Sequence, residues 1–372
     1  MDNPLRDYIY DLGKKEEPEY VWEWFYRYLA SGDELFYDNE PKELLQNYHA
    51  LITMGRELLK SKYGSGEYST FIRDGNTPDW TYYFVGDTHG AYQDVYLMVN
   101  YFIQVLQVNS HVKIVWIGDF VDRNPHDLQN LALIMSFWMM FRDNVFLLRG
   151  NHEAGDVCSR YGFSNNLYES AGSSKKDFNP VWEDVTDFFS KLPLGFYCRV
   201  GDKNVFACHG GIPFDVDDYK PLKLSEIEGT LNCFQKETFD MDPISQAMLW
   251  SDPDPYMLDE EGDVAPTPRT GRPRFSEHAF HQFMKINNLD VLIRGHQKWK
   301  TGYKLLFDNN LVSLFSTSTY DSRKIGEAKF FRLRPDMRIE NFGDEQLNLG
   351  EGILNIDQKF LDTQFNKYYA PE

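Results

Sequence analysis

The chain has 372 residues, and its 42% of hydrophobic side chains is enough to bury a large core, which argues against a mainly disordered protein. Its 57 acidic residues outnumber its 38 lysines and arginines, and the net charge of -19 argues against binding to nucleic acid or to an anionic membrane surface. The N-terminus lacks the apolar core of a signal peptide, and no apolar run approaches the ~20 residues that span a bilayer. With four cysteines in no C-x-x-C pair, we expect a soluble cytoplasmic protein with reduced thiols.

Residues 1–79 are predicted to form an N-terminal helical extension that packs on the core. An aromatic, helix-compatible stretch covers residues 21–30. A second helix is predicted to begin with Pro41 at its first position and to continue to about residue 60, with Leu44, Tyr48, Leu51 and Leu58 on one face. The Gly- and Ser-containing segments that follow are predicted to be loops. A regulatory or partner-binding arm is the alternative interpretation of this region.

From Trp80 onward, short apolar strands each end in a polar cluster. The five strands are "TYYFVGD" ending at Asp87, "VKIVWIGD" at Asp119, "NVFLLRGN" at Asn151, "KNVFACHG" at His209 and "LDVLIRGH" at His296. Asp87, Asp119 and Asn151 are evenly spaced, at the separation of a strand–helix–strand unit. Parallel strands of such units bind ligands at their carboxyl ends, so we expect all five polar clusters at one edge.

The segments between these strands carry a helical pattern. In "YQDVYLMVNYFIQVLQV" the apolar side chains recur at helical spacing, and "DLQNLALIMSFWMMF" is apolar enough for a deeply buried helix. Further along, a hairpin is predicted to turn near Asn309 and Asn310, and "AKFFRLRP" is predicted to be another strand. These two features predict a second sheet, mixed or antiparallel.

The predicted strand ends bring together carboxylate, imidazole and amide groups. They are Asp87, His89, Asp119, Asp122, Arg123, Asn151, His152, Glu153, His209 and His296. This mixture suits Mn, Fe or Zn and contains no thiolate. Because a carboxylate has two oxygens, Asp119 in the middle strand could bind both ions of a binuclear hydrolase. The remaining histidines are predicted to lie on the surface or in helices: His49, His111, His126, His278 and His281.

The motifs "GDTHG", "GDFVDRN", "LRGNHE", "HGG" and "IRGHQ", in this order, resemble the signature of the phosphoprotein phosphatase family, the calcineurin-like serine/threonine phosphatases. "RYGF", "LWSDPDP" and the tyrosine that ends "FSTSTY" are similar to the same family. The resemblance implies the α/β metallophosphoesterase fold, with two mixed β-sheets flanked by helices. It places a catalytic domain at residues 80–330, between the extension at 1–79 and a C-terminal strand and tail at 331–372.

The resemblance also implies two divalent metal ions, Mn²⁺ first, with Fe and Zn as alternatives. Its ligands would be Asp87, His89 and Asp119 for one ion, and Asp119, Asn151, His209 and His296 for the other. His152 would be the general acid for the leaving alkoxide, oriented by Asp122. The phosphate would be bound by Arg123, Asn151, Tyr320 and a second arginine, for which counting back from Phe275 favours Arg269 over Arg272 and Arg274.

Two motifs depart from the family pattern. Asn124 stands where the second motif has glycine, and because asparagine tolerates left-handed backbone angles, we expect the turn to survive. The segment "STSTY" lacks the proline and asparagine that the family has before this tyrosine, here Tyr320.

The resulting hypothesis is a serine/threonine protein phosphatase that hydrolyses phosphomonoesters with a water activated by two metal ions. Its partners would be a phosphoprotein or phosphopeptide substrate and a regulatory subunit, with no nucleic acid and no membrane. No cysteine has an arginine six residues later, and no G-x-x-x-x-G-K-[ST] loop is present, so a cysteine phosphatase and a kinase-like enzyme are excluded. The alternatives are a dinucleoside tetraphosphate hydrolase or other small-molecule phosphoesterase and, in another class, a non-catalytic phosphoprotein-binding scaffold.

Overall fold

The computed structural model describes residues 41–62, 68–75, 78–215, 217–257, 263–266, 272–344, 346–348 and 358–369. The helix expected at residues 21–30 and the arginine expected at position 269 lie outside these ranges. The helices are α1 (Pro41–Lys62), α2 (Tyr92–Val108), α3 (Asp127–Met140), α4 (Gly155–Cys158), α5 (Phe163–Ser170), α6 (Lys175–Lys191), α7 (Leu224–Ile227), α8 (Pro243–Trp250), α9 (Glu277–Ile286) and α10 (Gln358–Tyr369). Short 3₁₀ turns cover Thr238–Asp240 and Ile339–Asp344.

The strands follow the apolar runs of the sequence. They are β1 (Phe71–Asp74), β2 (Thr81–Val85), β3 (Val112–Trp116), β4 (Val145–Leu147), β5 (Gly195–Val200), β6 (Lys203–Cys208), β7 (Asp252–Pro253), β8 (Val264–Pro266), β9 (Pro273–Phe275), β10 (Val291–Arg294), β11 (Tyr303–Leu306), β12 (Leu311–Leu314), β13 (Thr319–Tyr320), β14 (Arg323–Lys324), β15 (Lys329–Leu333) and β16 (Gln346–Asn348). All five strands predicted to end in a polar cluster are present, as β2, β3, β4, β6 and β10.

Two mixed sheets form the centre of the molecule, which confirms the predicted fold class. One has the strand order β16-β15-β2-β3-β4, with β2, β3 and β4 parallel and β15 and β16 antiparallel to their neighbours. The other has the order β1-β5-β6-β10-β12-β11, in which β10 is parallel to both β6 and β12. One core of buried residues contains side chains from both sheets, such as Phe84 and Ile293, so the two sheets share an apolar interface.

The distribution of strands between the sheets differs from our expectation in one respect. The predicted hairpin is present as β11 and β12, but it extends the sheet of β6 and β10, whereas β15 pairs with β2 in the other sheet. The five polar strand ends therefore come from two sheets instead of one. Sequence periodicity identifies a strand, but its neighbours are chosen by long-range packing, which a short apolar run does not reveal.

Helices cover the outer faces of both sheets. The helix α2 has the span predicted from its periodicity, and Val95, Met98, Phe102 and Leu106 are all buried in it. Every residue of α3 is buried, as its apolar sequence predicts. The opposite layer contains α8 and α9, which pack on the sheet of β6 and β10.

The described part of the N-terminal extension is built into the core. In α1, Tyr48, Leu51 and Leu58 are buried against α3 and α6, as the predicted apolar face requires. Arg56, which is also in α1, donates a hydrogen bond to Asp184 of α6 at 3.1 Å. The strand β1 precedes Trp80 and pairs in parallel with β5, so this sheet begins before the expected start of the catalytic domain.

At the other end of the chain, α10 packs near the C-terminus of α3. Leu361 is buried, and the Phe360 ring stacks on Phe141 with ring centroids 5.9 Å apart. Lys367 Nζ lies 3.0 Å from Asp143 Oδ2. Among the residues that the structure describes, no helix is long and apolar enough to cross a membrane. All four cysteines are buried free thiols, as expected.

Candidate metal centre

The loops after the strands contain a cluster of non-glycine residues with left-handed backbone angles. The φ angles are 42° at His89, 55° at Asp119, 72° at Asp122, 74° at Arg123 and 68° at His296. Such a conformation costs about 1–3 kcal/mol per residue and persists where the surrounding structure enforces it. Three of these five residues are predicted metal ligands and the other two are predicted catalytic or phosphate-binding residues, which indicates that the fold accepts backbone strain in order to place these side chains.

The first cluster consists of His89 and two carboxylates. His89 Nδ1 donates a hydrogen bond to the Val121 carbonyl oxygen at 2.9 Å. Its other ring nitrogen, Nε2, lies 3.3 Å from Asp119 Oδ2 and 3.7 Å from Asp87 Oδ2. Burial lowers the pKa of His89 to about 3, so the ring is neutral at physiological pH. A neutral imidazole held by a carbonyl at one nitrogen is the usual arrangement of a metal-binding histidine.

The second cluster is formed by Asn151 and two histidines. Asn151 Oδ1 lies 2.9 Å from His209 Nε2 and 2.7 Å from His296 Nδ1. His209 Nδ1 donates to the Ile117 carbonyl at 2.9 Å. His209 Nε2 also lies 3.3 Å from Asp119 Oδ1. The two oxygens of Asp119 therefore face different clusters, which is the arrangement that a bridging carboxylate requires.

The buried polar atoms of both clusters fit a pair of cations. Asp87 Oδ2 and His296 Nε2 are buried and have no hydrogen-bond partner among the described residues. Burial and the neighbouring Asp119 charge together raise the pKa of Asp87 to about 7. A cation in the first cluster would remove this repulsion and bind Asp87 Oδ2, and a cation in the second cluster would bind His296 Nε2. Histidine, carboxylate and amide oxygen are donor types that bind divalent metal ions.

The histidine pKa values show how strongly Asp119 acts on this centre. Burial lowers the pKa of His209, but the carboxylates of Asp119, Asp87 and Glu153, with Asp119 contributing most, together raise it to about 9. The Asp119 carboxylate, which would bind a cation, thus also favours the protonated form of the His209 imidazole. Potential ligand atoms within 4.8 Å of one another occur in two groups that share Asp119. The group with His89 and His152 is buried, and in the group with His209 and His296 only His296 is partly exposed.

Glu153 connects the loops that carry the ligands. Its Oε2 accepts hydrogen bonds from the backbone N–H groups of Asp119 at 2.7 Å and Gly150 at 2.8 Å, and its Oε1 accepts from Phe120 at 2.8 Å. Burial and the Asp119 charge raise the pKa of Glu153 to about 7. At Gly150, a Cβ atom would lie 2.2 Å from Asp119 Oδ1, so only glycine fits there. Glu153 was predicted to lie at the strand ends, but no role was predicted for it.

Two fully buried arginines donate hydrogen bonds to backbone carbonyls around the centre. The sequence analysis did not identify them. Arg294 donates to the Gly210 carbonyl at 2.5 Å and to Asp252 at 2.9 Å. Arg149 donates to the carbonyl oxygens of Cys233 at 2.8 Å and Gln235 at 2.7 Å. Each arginine precedes a glycine of a ligand motif, "LRGN" or "IRGH", and this repeated placement is the signal that could have identified them.

His152 is placed to hold a proton beside the ligands. Its Nδ1 lies 2.6 Å from Asp122 Oδ2, and Asp122 Oδ1 accepts from the Phe163 N–H at 3.0 Å. Burial opposes the imidazolium, but the carboxylates of Asp119 and Asp122 outweigh burial and raise the pKa of His152. Asp122 therefore holds the His152 ring at Nδ1, which is the contact that the predicted roles of these two residues need.

Arg123 lies between two tyrosine rings at the mouth of the centre. Its guanidinium carbon is 3.9 Å from the Tyr161 ring centroid and 5.1 Å from that of Tyr320. The Tyr320 ring packs edge-on against His89 at 5.2 Å. Arg123 Nε is buried without a hydrogen-bond partner in the described part of the chain. The predicted phosphate residues Arg123 and Tyr320 are thus brought together beside the first cluster.

Of the three candidates for the second arginine, two lie in described residues. The Arg272 guanidinium is 4.9 Å from the Trp250 ring, which packs edge-on against His296 at 5.6 Å. Arg274 is paired with Asp254 at 2.6 Å. Arg272 therefore lies on the side of the second cluster, and Arg269 lies outside the described ranges.

The turn that contains Asn124 survives, but not for the reason that we expected. The residues with left-handed angles are Asp122 and Arg123, and Asn124 is not among them. The Asn124 side chain instead binds backbone groups of two other segments. Asparagine is suited to this position because its amide donates and accepts hydrogen bonds at once.

Comparisons with known proteins agree with this geometry. The model of the calcineurin-like phosphoesterase family matches residues 81–299. The chain is 30% identical over 250 residues to a probable serine/threonine-protein phosphatase of Encephalitozoon cuniculi, which covers 67% of this chain and 49% of that protein. It is 29% identical over 290 residues to the serine/threonine-protein phosphatase 4 catalytic subunit of Kluyveromyces lactis, covering 78% of this chain and 82% of that protein. The chain thus spans about half the length of the first relative and most of the second.

A solved structure is similar in fold. It is a protein serine/threonine phosphatase from Saccharomyces cerevisiae with similarity to human phosphatase PP5, and it has a TM-score of 0.66, 22% sequence identity and coverage of 84% of this chain and 88% of that one. The family match covers more than half of the chain and includes all five polar strand ends. The chain belongs to the calcineurin-like phosphoesterase family.

Proposed function

We propose that this protein is a metal-dependent phosphatase that hydrolyses phosphoserine and phosphothreonine monoesters of proteins. The observation that carries the proposal is the position of Asp119, whose two oxygens lie 3.3 Å from His89 Nε2 on one side and 3.3 Å from His209 Nε2 on the other. This geometry supports a carboxylate shared by two ions. The names of the relatives from Encephalitozoon and Kluyveromyces support a phosphoprotein as substrate.

The two ions would be held by six residues. We assign Asp87, His89 and Asp119 to one ion, and Asp119, Asn151, His209 and His296 to the other. When bound, two divalent ions supply Lewis-acid stabilisation of phosphoryl oxygens and lower the pKa of water toward neutrality. We propose Mn²⁺ first, as the family resemblance implies, with Fe and Zn as alternatives, and the oxygen and nitrogen donors suit all three.

His152 would protonate the leaving group. A serine alkoxide departs poorly unless it receives a proton as the phosphorus–oxygen bond breaks. His152 supplies this proton from Nε2, while Asp122, 2.6 Å from Nδ1, fixes the ring and stabilises its charged form. The raised pKa of His152 keeps the proton available near neutral pH.

Arg123 would bind the phosphate, because its planar guanidinium matches two phosphate oxygens. The rings of Tyr161 and Tyr320 restrict its movement from both sides. Asn151 would contribute from the second cluster. A second arginine, Arg269 or Arg272, would approach from the opposite side, and the contact of Arg272 with Trp250 supports its proximity to His296.

The rival functions receive less support. The relatives described above are named as protein phosphatases, which does not favour a dinucleoside tetraphosphate hydrolase. A non-catalytic scaffold would be expected to have lost a ligand, whereas all six ligand positions hold ligand-type residues. The Kluyveromyces relative is named a catalytic subunit, and on this basis we propose a regulatory subunit as partner. We also propose a cytoplasmic location, because the four cysteines form no C-x-x-C pair and suit a reducing compartment.

The test is metal reconstitution with three substrates. Protein stripped by a chelator is supplied with Mn, Fe, Zn or Mg and is assayed on a phosphoserine peptide, p-nitrophenyl phosphate and a dinucleoside tetraphosphate. We expect metal-dependent release of phosphate from the peptide, with two ions bound per chain. Hydrolysis of the dinucleotide alone would replace the proposal with the nucleotide hydrolase. If two ions are bound and none of the three substrates is hydrolysed, the non-catalytic phosphoprotein-binding scaffold would become the favoured function.

A further inference from the structure

The position that follows Arg123 holds an asparagine with an unusual set of contacts. Asn124 is buried, with 6% of its surface exposed. Its Nδ2 donates to the carbonyl oxygen of His89 at 2.7 Å and to that of Thr319 at 3.1 Å. Its Oδ1 accepts from the Ser322 N–H at 3.0 Å. One side chain therefore links the loop of a candidate metal ligand to the hairpin that carries Tyr320.

This hairpin, residues 319–324, has little means of holding itself in place. Each strand contributes only two residues, with Thr319 paired to Lys324 and Tyr320 to Arg323. The turn between them consists of Asp321 and Ser322, whose φ angles are 48° and 58°. A two-residue turn with both φ angles positive favours Asn-Gly or Asp-Gly, and serine is strained in the place of glycine. A two-stranded hairpin alone is at best marginally stable in water.

External hydrogen bonds offset this weakness. Asp94, in the first turn of α2, accepts from the Ser318 N–H at 2.6 Å and from the Ser318 hydroxyl at 2.9 Å. This anchor precedes the hairpin. Asn124 contacts the hairpin itself, with one bond to the first strand at Thr319 and one to the turn at Ser322. A glycine at position 124 would keep the Asp94 anchor and lose all three Asn124 bonds.

We propose that Asn124 is a positioning residue, which fixes the hairpin of residues 319–324 over the His89 loop and so holds Tyr320 against Arg123 for binding the phosphoester. The inference rests on the proposed phosphatase function. Asn124 itself touches no reacting atom. It acts through Tyr320, whose ring lies 5.2 Å from His89 and 5.1 Å from the Arg123 guanidinium.

The test compares Asn124→Gly with the double variant Asn124→Gly, Ser322→Gly. The first change removes all three bonds and leaves the strained turn unsupported. The second change gives the turn an Asp-Gly pair, which adopts these backbone angles without strain. In the double variant, the hairpin of residues 319–324 should therefore be ordered again, although the Asn124 side-chain amide is still absent. Ser322→Gly alone is the matched control.

Two measurements are needed, and only one of them depends on activity. Hydrogen–deuterium exchange of residues 317–325 reports on the hairpin directly, and we expect Asn124→Gly to exchange there about tenfold faster, as for the net loss of one or two hydrogen bonds. For a phosphoserine peptide, we expect KM to rise about two- to fivefold, as for loss of the Tyr320 ring, while kcat changes less than about twofold, since binding energy common to the ground state and the transition state is lost. The double variant should move both quantities back toward the wild type.

Unchanged exchange in Asn124→Gly would overturn the proposal. Loss of bound metal with a matching fall in kcat would overturn it as well, because Asn124 would then act on the His89 ligand instead of the hairpin. Restored exchange without any recovery of KM would separate the hairpin from substrate binding and also contradict it. If the wild type shows no metal-dependent phosphatase activity, the proposed function fails, and the exchange data still decide whether Asn124 fixes the hairpin.

Discussion

The proposed ligands Asp87, Asp119 and Asn151 follow three parallel strands, whereas Tyr320 lies on a hairpin with two paired residues in each strand. The strands are buried in a sheet between helices and a second sheet. The hairpin is held by a few individual contacts, among them hydrogen bonds with Asp94 and Asn124 and the ion pair of Arg123 with Asp321. The metal side of the site is thus positioned by the whole fold, and the phosphate side by a few polar side chains.

The two sides of the site should therefore respond differently to mutation. Damage to the sheets should remove the metal centre together with the folded state, because folding of such a domain is cooperative. Damage to the hairpin should change substrate binding while the ions remain. Asn124, which stands where the family motif has glycine, lies on the phosphate side of the site.

The largest effect is expected from deletion of residues 1–79, which removes α1 and β1. Leu51, Ile52, Leu58 and Leu59 of α1 are almost fully buried. Each such side chain contributes about 1.5–3 kcal/mol, and several together approach the stability of about 5–15 kcal/mol of a whole domain. We expect an aggregated product without a cooperative melting transition. The control removes residues 1–40 only, and a folded, more active product of the longer deletion would support the autoinhibitory arm instead.

The second-largest effect is expected from Asp119→Asn, which removes one negative charge between the two clusters. The two carboxylate oxygens face different histidines, so neither ion would keep its full set of ligands. We expect the metal content to fall below two ions per chain by elemental analysis and phosphatase activity to fall to background. Asp202→Asn, at an exposed position near the end of β5, is the matched control. Retention of two ions would contradict a shared ligand.

His152→Asn should reduce turnover without removing metal. Loss of a general acid lowers kcat by about 10²–10⁴-fold when the leaving group needs a proton. Because p-nitrophenolate leaves without protonation, the decrease on p-nitrophenyl phosphate should be much smaller than on a phosphoserine peptide. Equal decreases on both substrates would remove His152 as the acid. The exposed His278→Gln variant serves as the control for replacing a histidine.

The smallest effect is expected from Tyr320. Tyr320→Ala removes the ring beside Arg123, and a contact of this type contributes about 0.5–1 kcal/mol at exposed sites. We expect KM for a phosphoserine peptide to rise about two- to fivefold, with metal content unchanged. Tyr320→Phe keeps the ring and should change KM by less than about twofold. A large effect of Tyr320→Phe would show that the hydroxyl binds the substrate directly.

Much of the metal side could be predicted from the sequence because its signals are local. The even spacing of Asp87, Asp119 and Asn151 and the apolar periodicity between them correctly predicted β2, β3 and β4 with the helices α2 and α3. The strand β1 was not predicted, since its four residues are too few to show a period. The assignment of β6 and β10 to a second sheet depends on pairing between distant segments, which no local pattern contains.

The phosphate side was harder to predict for the same physical reason. The role of Asn124 depends on three bonds to segments far along the chain, and the sequence shows only that a glycine is replaced. Arg149 and Arg294 likewise act on backbone carbonyls of distant loops. Side chains that bind backbone atoms place little demand on the residue type of their partner, so the partner cannot be recognised from its sequence.

The burial of Cys208 beside the ligand His209 has a practical consequence for metal reconstitution. Burial raises the pKa of the Cys208 thiol to about 12, and its Sγ donates to the Gly211 carbonyl at 3.3 Å. Because the thiolate is the reactive form, this cysteine should resist alkylation and oxidation despite its position. Added thiol reductants compete for soft and borderline metals. The ions can therefore be titrated in reductant-free buffer, where the measured affinities belong to the protein alone.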